Sequence, residues 1–305
     1  MKEDRLSQTA LKTAFYRAYH SRCDSPKIFD DFLAYDLIGE REYNSIGVEM
    51  ITGFKKAAPQ MADSFPDEKS ILAFMMQAMA PPTLTISRAR YAEDCLKEAI
   101  GDGMNQYIIL GAGLDTFAFR NRELLDRLHI LEIDHPATQE FKRSRLTETN
   151  WEEPSNLHFV AADFTKEKLG EVLNRSSFDS RERSFFNWLG VTYYLPRDIV
   201  LETLREIAVA SAKGSMVVFD YFDTDIMVPE KVPPRVYQIL MLAEQVGEPI
   251  QALFDPSTLA EELEGLGLIV HENLCPVEVE SRYYDGRTDD YHACENAHFA
   301  CAIVK

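Results

Sequence analysis

Hydrophobic positions along the chain follow two rhythms, which change over near residue 105. Before that point apolar residues recur three and four apart in TALKTAFYRAYH and FDDFLAYDLIG, and SILAFMMQAMA is apolar almost all round, a pattern that predicts helices. Pro81-Pro82 is expected to end this block. SRARYAEDCLKEAIGDG then predicts a further helix, with Ser87 as N-cap, Gly101 or Gly103 as its stop, and Tyr91, Cys95 and Leu96 on one face. From Gln106 onward the pattern becomes short apolar runs: QYIILGAG, LHILEID, LHFVAADF, SFFNWLGV and SMVVFDYF. They are separated by helix-length pieces such as PATQEFKRSRLTE and RDIVLETLREIAVASAKG.

Continuous apolar strands alternating with helices predict an α/β fold, a doubly wound and mostly parallel sheet covered on both faces. GLIVHEN and HFACAIVK, joined by a short connection, are expected to close it as an antiparallel edge. Residues 224–266, rich in Met, Leu, Glu and Pro, read as a helical insertion after the fifth strand. The expected organisation is a single domain over 1–305, with an N-terminal helical cap at 1–86, a core at 87–223, the insertion at 224–266 and closing strands at 267–305.

Composition narrows the function classes. A chain of 305 residues with 46% apolar content is enough for one large globular domain. The formal charge of −18, with no Lys/Arg block to offset it locally, disfavours nucleic acid as a partner. No stretch approaches the roughly 18 apolar residues of a membrane span, and MKEDRLSQTALK lacks the apolar core of a secretory signal, so a cytoplasmic location is expected. Cys23, Cys95, Cys275, Cys294 and Cys301 form an odd set without C-x-x-C spacing, so no structural disulfide is expected.

The chemistry centres on ILGAGLDTFAFR, residues 109–120, where the first predicted strand empties into a glycine turn. In an open α/β sheet, ligands lie beyond the carboxyl ends of the strands where strand order reverses, and Gly111-Ala112-Gly113 is expected there. A dinucleotide loop wants G-x-G-x-x-G, but the third position is Thr116, and Asp115 puts a negative charge where a pyrophosphate would arrive. A ligand with a sulfonium and an amino group tolerates Asp115 better, and S-adenosylmethionine is such a ligand. Asp134, ending the second strand, suits ribose hydroxyls, and Asp163 with Phe164 after the third suits an adenine amino group and its ring face. Each acid also has a local reading: Asp134-His135-Pro136 as a helix start, and Asp163 as the cap of a helix begun by Thr165.

SRARYAEDCL, ILGAGLDTFAFR, LEIDHPATQEFKRSRL, VAADF and FFNWLGVTYYL together resemble the leucine carboxyl methyltransferase-like family of S-adenosylmethionine-dependent methyltransferases, in particular its bacterial branch with polyketide O-methyltransferases. The similarity extends to TALKTAFYRAYHSR and KIFDDFLAYDLI near the start. The resemblance implies a Rossmann-like class I methyltransferase fold with a seven-stranded sheet. It also implies an arginine, Arg88 first and Arg90 second, that pairs with the cofactor's carboxylate. It further implies that Gly111 and Gly113 pass closest to the methionine part, that Asp134 takes the ribose, and that Asp163 and Phe164 hold the adenine. The chain departs from the branch at Phe117, where arginine is usual, and after the fourth strand, where Asn187 and Trp188 stand without the acid many members keep.

These readings point to O-methylation of a small molecule, apolar or aromatic, bearing a carboxyl or hydroxyl group. A carboxylate needs no general base, whereas a hydroxyl does. Tyr193 and Tyr194 are the catalytic candidates, with packing against the next helix as their other reading, and His135 is expected near the pocket. The N-terminal helices and the insertion are expected to cover the cofactor and shape the acceptor pocket. His292, Cys294, His298 and Cys301 fall within ten positions, but strand alternation separates His298 from Cys301, so no metal site is expected. The alternatives are a degenerate binding homologue and an NAD-dependent oxidoreductase.

Overall fold

The computed structural model describes residues 7–164 and 166–305. Six helices come first: α1 (Gln8–Cys23), α2 (Ala34–Ile38), α3 (Glu40–Ala57), α4 (Pro59–Ala62), α5 (Glu68–Ala78) and α6 (Ala80–Gly101). The core then alternates β1 (Gln106–Leu110), α7 (Phe117–Arg120), β2 (His129–Asp134), α8 (Pro136–Glu148), β3 (Leu157–Ala161), α9 (Leu169–Asn174), β4 (Ser184–Trp188), α10 (Arg197–Ala210) and β5 (Met216–Asp223). After it come α11 (Pro234–Val246), β6 (Leu253–Phe254), α12 (Leu259–Gly265), β7 (Leu268–Leu274), α13 (Pro276–Tyr283) and β8 (Ala297–Val304).

The sheet runs β3-β2-β1-β4-β5-β8-β7, with the two-residue β6 pairing beside β5. Strands β1 to β5 are parallel, as continuous apolar runs such as fully buried QYIIL require. Alternation splits the core into two layers. Tyr107 and Ile109 face a layer that includes α1 and α6, while Ile108 and Leu110 face one built on α9, α10 and α12. Helix α10 shows why: Val200, Leu204 and Ile207, at helical spacing, are its buried stripe. The sheet is therefore doubly wound, as the sequence predicts, and strand order reverses between β1 and β4.

Three local expectations need correction. Ser87 does not cap a helix: α6 starts at Ala80 with proline in its first turn, and the Ser87 hydroxyl lies mid-helix, donating to Thr83 O at 3.0 Å. Pro81-Pro82 thus opens α6 rather than only closing α5, because a first-turn N–H has no partner to lose. The closing strands form the expected antiparallel edge, with β8 pairing antiparallel with both β5 and β7 and β7 outermost, but their connection is not short, since α13 lies between them. Helix α6 also crosses residues 86–87, so the cap and core share one continuous element. The helix expected to begin at Thr165 falls on a residue outside those described, and α9 starts at Leu169.

Candidate active site

At the β1/β4 reversal lies a cavity of about 360 Å³, lined from both sides of the switch point. This is within the ~300–1,000 Å³ usual for small-molecule sites. Its floor is the turn after β1. Gly111 and Gly113 both have positive φ, +70° and +54°, which L side chains rarely adopt. The Gly111 N–H donates to Ile133 O at 2.8 Å, tying the turn to β2.

The turn is held further by Asp134. One of its carboxylate oxygens accepts from the Gly113 N–H and the other from the His135 N–H at 2.5 Å. Burial raises the Asp134 pKa, and these two N–H groups oppose the rise. His135 caps α8 by accepting from the Ala137 N–H at 3.3 Å, with Pro136 in the first turn. The helix-start reading and the cavity-facing reading of Asp134-His135-Pro136 are therefore both realised. Asp163 and Phe164 line the same end of the cavity, with Asp163 Oδ2 4.0 Å from His135 Nε2.

On the other side of the reversal stands Arg88, reaching in from α6. It is 8% exposed and donates to Tyr193 Oη at 2.7 Å and Asp220 Oδ2 at 3.0 Å. Burial works against its charge, but Tyr193 and Asp220 more than offset this and hold its pKa above the ordinary arginine range. Arg90 does not line the cavity; it is paired with Asp94 on the same helix at 2.8 Å. Tyr194 lines the cavity, whereas Tyr193 lies behind it, edge-on to Phe222 and bound to Arg88. Burial pushes the Tyr194 phenol up to about 12.

Asn187 also lines the cavity. Its Nδ2 donates to Tyr107 Oη at 2.8 Å, and its Oδ1 is buried without a partner among the described residues. Trp188 points to the opposite layer. Phe117, the other departure from the family pattern, does not face the cavity. It is 1% exposed and packs edge-on against Tyr107 at 4.9 Å between centroids, a core side chain whose truncation would cost roughly 3–5 kcal/mol.

Several lining residues carry no signal in the sequence reading. Arg17 of α1 donates to Asp31 Oδ2 at 2.8 Å and to Leu114 O at 2.7 Å. Arg120 pairs with Asp31 and Glu93, and its Nε reaches Thr116 Oγ1 at 2.7 Å. Below the turn, buried Lys142 joins Glu132 and also donates to Asp115 O at 2.6 Å. From the insertion, Glu248 Oε2 accepts from the Thr9 hydroxyl at 2.7 Å, so α1 and the chain after α11 meet at the cavity they both line. These partners are brought together by tertiary structure, which leaves no local signal in the sequence.

Six carboxylates, Asp31, Glu93, Asp115, Asp134, Asp163 and Glu248, line the cavity. Three guanidiniums, Arg17, Arg88 and Arg120, oppose them, leaving the lining net negative. Such a lining favours a cation such as a sulfonium and disfavours a pyrophosphate. The orphaned Asn187 Oδ1 calls for a donor, as an ammonium group would provide. A model of the family described as leucine carboxyl methyltransferase matches residues 10–208.

The chain belongs to the leucine carboxyl methyltransferase family. This is a family of S-adenosylmethionine-dependent methyltransferases, and the cofactor expected from the sequence is the family's. Bacillus subtilis YktD, named as a candidate S-adenosyl-L-methionine-dependent methyltransferase, is 37% identical over 306 residues, covering all of both chains. Rv3787c of Mycobacterium tuberculosis, named likewise, is 29% identical over 218 residues, 71% of this chain and 66% of its own. Among solved structures, a DUF574 family protein from Streptomyces avermitilis shares the fold at a TM-score of 0.56 and 15% identity, over 80% of this chain and 92% of that one. The family's Rossmann-like fold is thus the one seen here.

Proposed function

We propose that this methyltransferase acts on oxygen, carrying the methyl group of S-adenosylmethionine to a carboxyl group, or secondarily a hydroxyl group, of a small molecule. The observation that carries the reading is that Gly111-Ala112-Gly113, Asp134, Asp163-Phe164 and Arg88 all line one cavity at the strand-order reversal. Arg88 would grip the amino-acid carboxylate and Asn187 Oδ1 would accept from the ammonium. Asp134 would hold the ribose hydroxyls through its remaining lone pairs, and Asp163 with Phe164 would hold the adenine. The chemistry supplied by the bound cofactor is an electrophilic methyl on a sulfonium.

The chain's own part is to align the acceptor oxygen and exclude water. Thr9 and Glu248 close one side, and Phe29, Leu189, Val191 and Pro249 add apolar surface to the lining, suiting an acceptor with an apolar or aromatic part. The carboxyl preference comes from the lining residues. Tyr194 stays a protonated phenol, and His135 caps α8 at the end assigned to the adenosine, so neither is posed to take a proton from a hydroxyl, whereas a carboxylate acceptor needs no base. The NAD reading has Asp115 and the missing third glycine against it. The degenerate reading loses one of its grounds, because Phe117 belongs to the core.

Turnover tests this. The protein is incubated with methyl-labelled S-adenosylmethionine and a panel of carboxylic acids, phenols and alcohols, and products are read by mass spectrometry. Methyl esters are expected. Bound cofactor with no oxygen acceptor methylated, or methylation confined to amines, refutes the reading.

A further inference from the structure

We propose that Asp220 is a positioning residue for cofactor binding: its carboxylate, on β5, turns the Arg88 guanidinium into the orientation that grips an amino-acid carboxylate. The proposal rests on the role given to Arg88 above. Asp220 is 1% exposed and 132 residues from Arg88 in sequence. Its Oδ2 accepts from Arg88 Nη1 at 3.0 Å, and its Oδ1 accepts from the Gly190 N–H at 2.7 Å. The Asp220 carbonyl accepts from the Thr192 hydroxyl. One residue of β5 thus fixes α6 and the exit of β4 relative to each other.

The geometry selects one edge of the guanidinium. Nη1 has two hydrogens, and both are committed, to Asp220 and to Tyr193 Oη at 2.7 Å. The Nε–Nη2 edge is then the one left for a bidentate grip on a ligand in the cavity that Arg88 lines. Gly190 lets the backbone lie against the guanidinium face: a Cβ there, at φ +72°, would stand 2.7 Å from Arg88 Cζ. Charge points the same way. A buried guanidinium alone would attract any anion, whereas paired with Asp220 it is net neutral and suits a zwitterionic amino-acid group.

The test is calorimetric titration of the full chain with S-adenosylhomocysteine and with 5′-methylthioadenosine, which lacks the amino-acid portion. Asp220→Asn keeps the shape and an oxygen for the Gly190 N–H but removes the charge. It is expected to weaken S-adenosylhomocysteine about tenfold and methylthioadenosine by no more than about twofold. Arg88→Met is expected to show the same selectivity, and the double variant to lose no more than Arg88→Met alone, because Asp220 acts through Arg88. Parallel loss for both ligands, or loss for neither, overturns the proposal. If Arg88→Met itself spares S-adenosylhomocysteine, the reading of Arg88 has failed; if Arg88→Met is selective and Asp220→Asn is not, the Asp220 proposal alone has failed. Should Asp220→Asn lose its fold, Tyr193→Phe removes the other bond to Nη1, and a selective loss of about threefold is expected. Unchanged S-adenosylhomocysteine binding in that variant overturns the proposal.

Discussion

Gly111 has φ +70°, and a Cβ added there would lie 2.5 Å from Val191 Cγ2. Gly111→Ala therefore meets two costs. Holding a residue with a side chain in the left-handed region costs about 1–2 kcal/mol. Relieving the contact with Val191 adds about 1–3 kcal/mol, the usual penalty of overpacking. Together they reach about 2–5 kcal/mol, a large share of the ~5–15 kcal/mol by which a domain is stable. The relief also displaces one of two loops that line the cavity, since Gly111 and Val191 belong to the turns after β1 and β4. Urea denaturation and titration with S-adenosylhomocysteine would be run on Gly111→Ala, Val191→Ala and the double variant. Truncating Val191 in the Gly111→Ala background is expected to recover the overpacking part, about 1–3 kcal/mol, and leave the backbone part. A Gly111→Ala protein within about 0.5 kcal/mol of wild type, or no recovery in the double variant, refutes the reasoning.

Burial raises Glu132 to about 7 despite Lys142 beside it, so the folded state keeps a proton that the unfolded chain has lost, and this group withdraws stability as pH rises from about 4.5 to about 7. Wild type is expected to lose stability relative to Glu132→Gln across that window, by up to about 3 kcal/mol in urea melts; a difference independent of pH contradicts this. Thr9→Val removes the hydroxyl bond to Glu248 and is expected to cost about 0.5–1.5 kcal/mol and to speed S-adenosylhomocysteine release in stopped-flow, an unchanged release rate being the contrary result. Tyr194→Phe is expected to keep kcat for a carboxylic acid within about threefold; a drop of about a hundredfold or more would make the phenol part of the proton chemistry.

Much of the fold was legible because its signals are local. QYIIL is a buried parallel strand wherever it is read, and PATQEFKRSRLTE begins and ends with α8. Gly111, Asp134, Asp163 and Phe164 lie at or just after strand ends, so motif spacing could bring them to one cavity, whereas Arg88, in the middle of α6, was reached through the family resemblance. Ser87 was misleading because a serine before apolar residues looks like a cap, while the prolines that start the helix look like a stop. Asp220 was not legible: FDYF is an apolar strand ending, and only the sheet register and Arg88 give that carboxylate its meaning. Arg17, Asp31 and Arg120 are hidden for the same reason, and Phe117 drew attention as a departure although its neighbours are Tyr107 and the core.

The central claim is that this cavity holds S-adenosylmethionine through the residues that surround it. Calorimetric titration of wild type and Asp134→Ala with S-adenosylhomocysteine and with NAD tests it most directly. Saturable one-to-one binding of S-adenosylhomocysteine is expected, weakened about tenfold or more by Asp134→Ala, with no binding of NAD. Tight NAD binding with none for S-adenosylhomocysteine would contradict it.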